Sequence, residues 1–267
     1  MIGQDFHNHT AFCDGHADPE TMVTTALERG ITRFGLLIHS YTAFDEKIVP
    51  AGQEQPFQQA IAALKDKYRG QIELYCGVEQ DYYSQTSTDG FDYVIGSVHY
   101  LHCRDEYLPV DESRERTQTI VQDYYGGDWY RYAEAYFRTV ADVAEKTKPD
   151  IIGHFDLVAK FNGEGDLFDE SHPRYVAAWQ AAAERLLTYH LPFEINVGGI
   201  LRAGRHEPYP TLAIQRYLAS RGARVLLSGD CHTAAALGVG FEDWEQAALA
   251  AGFRPEQWVV GLPQAPR

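Results

Sequence analysis

The stretch Gln4-Asp5-Phe6-His7-Asn8-His9 reads as a first β-strand that ends on two histidines. A dinucleotide-binding α/β protein carries a glycine-rich turn at this place, and none is present here. Working outward, six further short runs of Val, Ile, Leu, Phe and Tyr follow at 33–39, 72–79, 93–99, 151–154, 192–197 and 224–228. Such runs suit strands buried on both faces. Helical stretches separate them. Asp18-Pro19-Glu20 places a cap residue before a proline, and the segment through Leu27 ends near Gly30. Residues 56–68, 130–146, 174–189 and 211–221 repeat the helical pattern, and 242–251 forms a closing helix. Alternating strands and helices predict a parallel sheet. Seven strands without a dinucleotide turn predict an α/β fold, a distorted (β/α)7 barrel, over a single domain of residues 1–267. Residues 104–129, rich in charge and tyrosine, are the least regular part and fit either a helical connection or a cover over a site.

At 267 residues the chain falls where single α/β barrels are common. With 38 acidic against 23 basic side chains the net charge is −15, which argues against nucleic acid or an anionic membrane as partner. A small phosphorylated substrate remains compatible, because metal ions can supply local positive charge. No apolar run of about 18 residues appears, and the N-terminus lacks the basic-then-apolar pattern of a signal peptide. Cys13, Cys76, Cys103 and Cys231 form no CxxC pair; free thiols and a cytoplasmic location are expected.

The chemistry lies in the positions. His7 and His9 end the first strand, His39 the second, Glu79 the third, His99 the fourth and His154 the fifth. Asp230 and His232 follow the last strand, and His16 lies in the loop after the first. In a parallel barrel all strands end at one face, so these side chains converge there. One H-x-H, or one histidine at a strand end, is more often structural, and a lone Glu79 or Asp230 fits a helix cap. Independent accidents would not place a ligand-type residue after six of seven strands. His102, His172, His190 and His206 lack that placement and are expected on the surface or in packing. Nine ligands exceed one tetrahedral site, so two or three ions are implied, with Glu79 as the bridge. Imidazole and carboxylate together leave manganese, iron and zinc open. Clustered divalent ions roughly 3.5–4 Å apart activate water and steady the entering and leaving oxygens of a phosphate ester.

These motifs continue as Phe12-Cys13, Gly77-Val78-Glu79, Phe91-Asp92-Tyr93-Val94-Ile95-Gly96-Ser97-Val98-His99, Gly153-His154-Phe155-Asp156-Leu157 and Gly229-Asp230-x-His232. The set resembles the polymerase-and-histidinol-phosphatase (PHP) superfamily, most closely its histidinol-phosphate phosphatase branch. The resemblance implies a distorted (β/α)7 barrel with three divalent ions. His7, His9, Glu79 and Asp230 would hold one, Glu79, His99 and His154 the second, and His16, His39 and His232 the third. It implies attack by a hydroxide bridging two ions, with Glu79, Asp230 and His232 as the catalytic residues and L-histidinol and phosphate as products, in histidine biosynthesis. Phe193-Glu194-Ile195-Asn196 and the nearby Arg202 resemble a substrate-reading segment of the family. Arg202 and Lys160 are phosphate candidates, and Glu194 and Asn196 are candidates for the substrate amine or imidazole. Arg205 is expected as an exposed cation. His39 is followed by Ser40-Tyr41-Thr42, where the branch pattern has a further histidine or aspartate and a proline. A family phosphoesterase acting on a nucleotide or sugar phosphate is therefore the alternative. An amidohydrolase-like barrel fits the His16, His39 and His232 set poorly.

Overall fold

The computed structural model describes residues 3–46 and 48–262. Strand β1 (Gln4–Asp5) leads into helix α1 (Pro19–Glu28). Asp18 caps α1 by accepting from the Thr21 amide at 3.0 Å, and Pro19 starts it with φ already set. Then come β2 (Arg33–His39), α2 (Glu54–Lys67), β3 (Glu73–Asp81) and β4 (Tyr93–Ser97). Strands β5 (Tyr100–Cys103) and β6 (Glu106–Pro109) form a separate antiparallel hairpin. Helices α3 (Arg114–Tyr125), α4 (Trp129–Val140) and α5 (Val143–Thr147) follow, then β7 (Ile151–Ile152), α6 (Pro173–Leu187), β8 (Phe193–Asn196), α7 (Gly198–Ala203), α8 (Leu212–Ser220), β9 (Val225–Ser228) and α9 (Phe241–Ala251).

The main sheet has seven parallel strands in the order β1-β2-β3-β4-β7-β8-β9. It nearly closes: past its ends, Asn8 and Cys231 bridge in parallel, with the His9 amide donating to the Cys231 carbonyl at 2.8 Å. This is the predicted seven-stranded barrel. Along β2 and β3 the side chains alternate as the pleat requires. Phe34, Leu36, Ile38, Leu74, Cys76 and Val78 pack outward with α1 and α2. Leu37 packs inward with Phe6, Tyr93, Ile95, Ile151 and Leu226. Tyr93 crosses the floor of the barrel and donates from its hydroxyl to the Phe6 carbonyl at 2.5 Å. Gly35 and Gly77 make room for it: a Cβ at either position would lie 2.2 Å from the tyrosine. On the same parity His39, Glu79 and Asp81 face inward at the rim.

One expectation needs correction, and two parts of the chain take shapes the sequence left open. Residues 130–146 are not one helix; the chain breaks at Ala141–Asp142, where the Asp142 amide bonds three residues back to Thr139 and its carboxylate accepts from the Tyr82 hydroxyl at 2.9 Å. The irregular segment 104–129 holds the β5–β6 turn, β6 and α3. Arg104 and Asp105 supply the two positive φ angles (51° and 64°) that a tight hairpin turn needs. Helix α7, after β8, was not anticipated. The described helices include none long and apolar enough to cross a membrane, and the four cysteines are free.

Candidate metal centre

Glu79 sits at the focus of the rim, its register partner on β2 being His39. Its Oε2 lies 3.3 Å from His7 Nε2, 3.3 Å from His9 Nε2 and 3.2 Å from His39 Nδ1. Its Oε1 lies 2.8 Å from His154 Nε2 and 3.2 Å from His99 Nε2. Asp230 Oδ1 is 3.5 Å from His9 Nε2 and 3.7 Å from His7 Nε2. Ligand-type atoms within 4.8 Å of one another form three groups among the described residues: His7, His9 and Asp230; His39, Glu79 and His99; and His9, Asp14, His39 and His232.

The third group departs from expectation. His16 is exposed and belongs to none of the groups. Asp14 takes the inward place instead, its Oδ2 3.1 Å from His232 Nε2 and its Oδ1 3.5 Å from His39 Nε2. The loop doubles back on itself. The Cys13 and Gly15 amides both bond to the Thr10 carbonyl, and the His16 amide bonds to the His232 carbonyl at 2.8 Å. Gly15 permits this, since a Cβ there would meet the Thr10 amide at 2.6 Å. Backbone pairing thus spends the His16 position on holding the loop, while Asp14 points to the rim.

A further shell orients the rings. Glu194, fully buried, accepts from three sides: His7 Nδ1 at 2.8 Å, the His154 amide at 2.6 Å and the Ser228 hydroxyl at 2.6 Å. Asn196 donates to Glu194 at 2.9 Å and to Asp230 at 3.2 Å, while its oxygen accepts from the Gly198 amide. Both lie on β8 one layer below the rim, because side chains that point into a barrel stack in layers. They orient ligands and do not line the recess, contrary to the substrate-contact expectation. Asp81, two residues past Glu79 on the same face, lies 3.3 Å from His99 Nδ1 and was missed, although the i, i+2 spacing carries the signal. Carboxylates of this kind fix the tautomer and orientation of ligating imidazoles.

The charges are mutually supporting. Burial pushes the Glu79 carboxyl up, but the imidazoles of His7, His99 and His39 outweigh it and hold it well below the usual carboxylate range. Burial likewise opposes Asp230, which Arg202 and His7 keep ionised. Burial pulls His7 down, yet Glu194, Glu79 and Asp230 hold it well above its ordinary value. His9 is pushed down to about 4 by burial and by its neighbours His232 and His39, so it is neutral, the form that ligates a metal. Protonated imidazoles here occupy the electrostatic role of cations. The donor set, neutral or deprotonable imidazoles interleaved with ionised carboxylates, fits divalent metal ions that displace those protons.

The rim opens into a recess lined by Asp14, His39, Glu79, His99, His154, Asp230 and His232, with Arg202 at its side. Arg202 donates to Asp230 Oδ2 at 2.5 Å and stands 3.0 Å from His232 Nε2. Lys160 instead donates to the Asp111 carbonyl at 3.0 Å and to its Oδ2 at 3.1 Å. Arg205 is buried, not exposed, and bonds to the Ala159 carbonyl. His172 caps α6 and stacks on Tyr130, and His206 pairs with Glu164 at the surface; both fit their expected non-ligand roles.

A relative from Deinococcus radiodurans named "Probable histidinol-phosphatase" is 28% identical over 264 residues, covering 90% of each chain. One of the same name from Schizosaccharomyces pombe is 26% identical over 252 residues, 85% of this chain and 79% of that one. Among solved structures, histidinol phosphate phosphatase from Lactococcus lactis, complexed with zinc, L-histidinol and phosphate, superposes with a TM-score of 0.71 at 18% identity, covering 98% and 97% of the two chains. The signature described as PHP domain matches residues 5–197, which carry all of the rim ligands except Asp230 and His232. With most of its length inside that match, the chain belongs to the PHP domain family.

Proposed function

We propose that this chain is a metal-dependent phosphomonoesterase that converts L-histidinol phosphate to L-histidinol and phosphate. The observation that carries the reading is the set of three ligand groups that meet at one barrel rim and share His9 and His39, beside a recess with an arginine at its wall. The names of the relatives, which match along most of their length, support the substrate, as does the L-histidinol and phosphate in the Lactococcus lactis complex.

His7, His9, Glu79 and Asp230 would hold one ion, Glu79, His99 and His154 a second, and Asp14, His39 and His232 a third, with manganese, iron or zinc all suited to these donors. When bound, such ions lower the pKa of water and neutralise charge on the phosphate oxygens. The protein's own groups do the rest. Asp230 anchors Arg202 at the wall of the recess, where its guanidinium would meet the oxygens of a bound phosphate. Glu194 and Asp81 hold His7 and His99 in fixed orientation. His232, with Nδ1 3.0 Å from the Asp230 carbonyl, presents Nε2 to the recess between Arg202 and Asp14, the orientation that would let this nitrogen ligate the third ion.

The second reading, another small phosphate ester, is favoured by Ser40 and Thr42, which line the recess where the branch pattern carries other residues. Phosphate release decides between them. Protein loaded with manganese, zinc or iron should turn over histidinol phosphate far faster than nucleotide or sugar phosphates, and an even rate across that panel would remove the histidinol phosphate assignment. Elemental analysis of the same preparation counts the ions.

A further inference from the structure

We propose that Asp111 selects phosphate esters with a cationic alcohol half, by receiving the substrate's ammonium or imidazolium group at the wall of the recess. This deepens the phosphatase reading and rests on it.

Asp111 follows the β5–β6 hairpin, whose last turn is pinned to the rim. The Val110 side chain is fully buried and its amide donates to the His99 carbonyl at 2.9 Å, so the next residue stands beside the metal centre. Lys160 then grips Asp111 twice, at its carbonyl and at Oδ2. Among the described residues no donor meets Oδ1, which leaves that oxygen to accept from a ligand. The other carboxylates that line the recess are committed. Asp14, Glu79 and Asp230 belong to the ligand groups, and Asp81 accepts from the Tyr83 and His99 amides while facing the His99 ring. Asp111 is the one that remains.

Charge and shape agree with the assignment. Burial pushes the Asp111 carboxyl up, but Lys160 and His99 outweigh it and keep it ionised. Burial also opposes the charge on Arg202, which Asp230, Asp14 and then Asp111 sustain, so Asp111 and Arg202 lie within electrostatic range across one recess. A dianionic phosphate on the metal and Arg202 side therefore leaves a cationic tail beside Asp111, with Ile48, Tyr100 and Leu157 lining the same space for its carbon atoms. A carboxylate that served only to hold Lys160 against phosphate would not distinguish between alcohol halves. That is the difference to measure.

The metal-loaded full chain is assayed on phosphoethanolamine and ethyl phosphate, which differ by one charged amine. The wild type should prefer phosphoethanolamine in kcat/KM. Asp111→Asn, isosteric at a partly exposed position, should lower the ratio of the two by about tenfold, the scale of one charge-assisted hydrogen bond. A wild type without the preference, or an Asp111→Asn ratio equal to that of the wild type, overturns the proposal; equal loss on both esters counts as the latter and returns Lys160 to the phosphate. Histidinol phosphate is assayed alongside. Should the ratio fall as expected while the wild type ignores histidinol phosphate, Asp111 keeps its role and only the substrate name falls.

Discussion

Glu79 and Asp156 are both buried carboxyls of one barrel, 1% and 0% exposed, yet their surroundings shift their proton affinity in opposite directions. Four imidazoles approach Glu79 at 2.8–3.3 Å and hold it ionised; His9, the fifth, is neutral. Asp156 accepts from the Thr211 amide at 3.0 Å, and among the described residues its Oδ1 meets no donor. Burial pushes it up to about 6, against the opposing pull of Arg205 and that amide. Burial of both thus gives an anion held at the rim and, behind it, a carboxyl that takes up a proton more readily than usual. The lesson is that imidazoles at the rim keep its anions charged until cations arrive, whereas a buried carboxyl without such partners is easier to protonate and costs stability once it ionises.

The largest way to break the comparison is Glu79→Gln, which removes the anion touched by five rings. Activity should fall roughly 10²–10³-fold, the scale of losing one charge-stabilising group, and elemental analysis should show less metal per chain. Wild-type metal content and rate in that variant would end the distinction. Asp156→Asn tests the other side. A carboxyl whose folded pKa is raised contributes full stability below its unfolded value near 4 and loses it as pH rises through about 6. The loss amounts to ~3 kcal/mol by neutral pH. Urea unfolding of metal-free protein should therefore show the Asn variant gaining on the wild type between pH 4 and pH 7, and parallel curves would show that Asp156 is ionised throughout.

Glu194→Gln keeps the shape beneath His7 and removes the charge. Metal affinity should drop about 10–100-fold, as for other outer carboxylates of ligating histidines, when titrated against a chelator. The smallest effect sharpens the loop. His16→Ala should leave metal content and kcat within about twofold, as for surface substitutions, because only its backbone is used, whereas Asp14→Ala should lose metal. The reverse order would restore His16 as the ligand.

Much of this was legible in residue order. Each predicted strand is present to within a few residues, since buried parallel strands are short apolar runs with little else to imitate them. Eight of the nine expected ligands gather at the rim, because strand ends of a parallel barrel share one face. The failures have one cause. His16 and Asp14 lie in a loop, where no period tells inward from outward, and backbone hydrogen bonds chose between them. Glu194 and Asn196 have the right chemistry for a substrate, but depth along β8 placed them under the rim. The β5–β6 turn uses Arg104 and Asp105 at positive φ, without the Asn-Gly signal that marks such hairpins.

The sequence by itself determined the parallel barrel, the excess of acidic charge and most of the candidate ligands that meet at the rim, since these follow from composition and from alternation along each strand. Only the tertiary structure decided which loop residue joins the third candidate group, that Glu194 bonds to His7 and His154 beneath the recess, and that Asp111 reaches the recess. Those outcomes depend on depth, loop closure and contacts between residues far apart in the chain, and no local pattern encodes them.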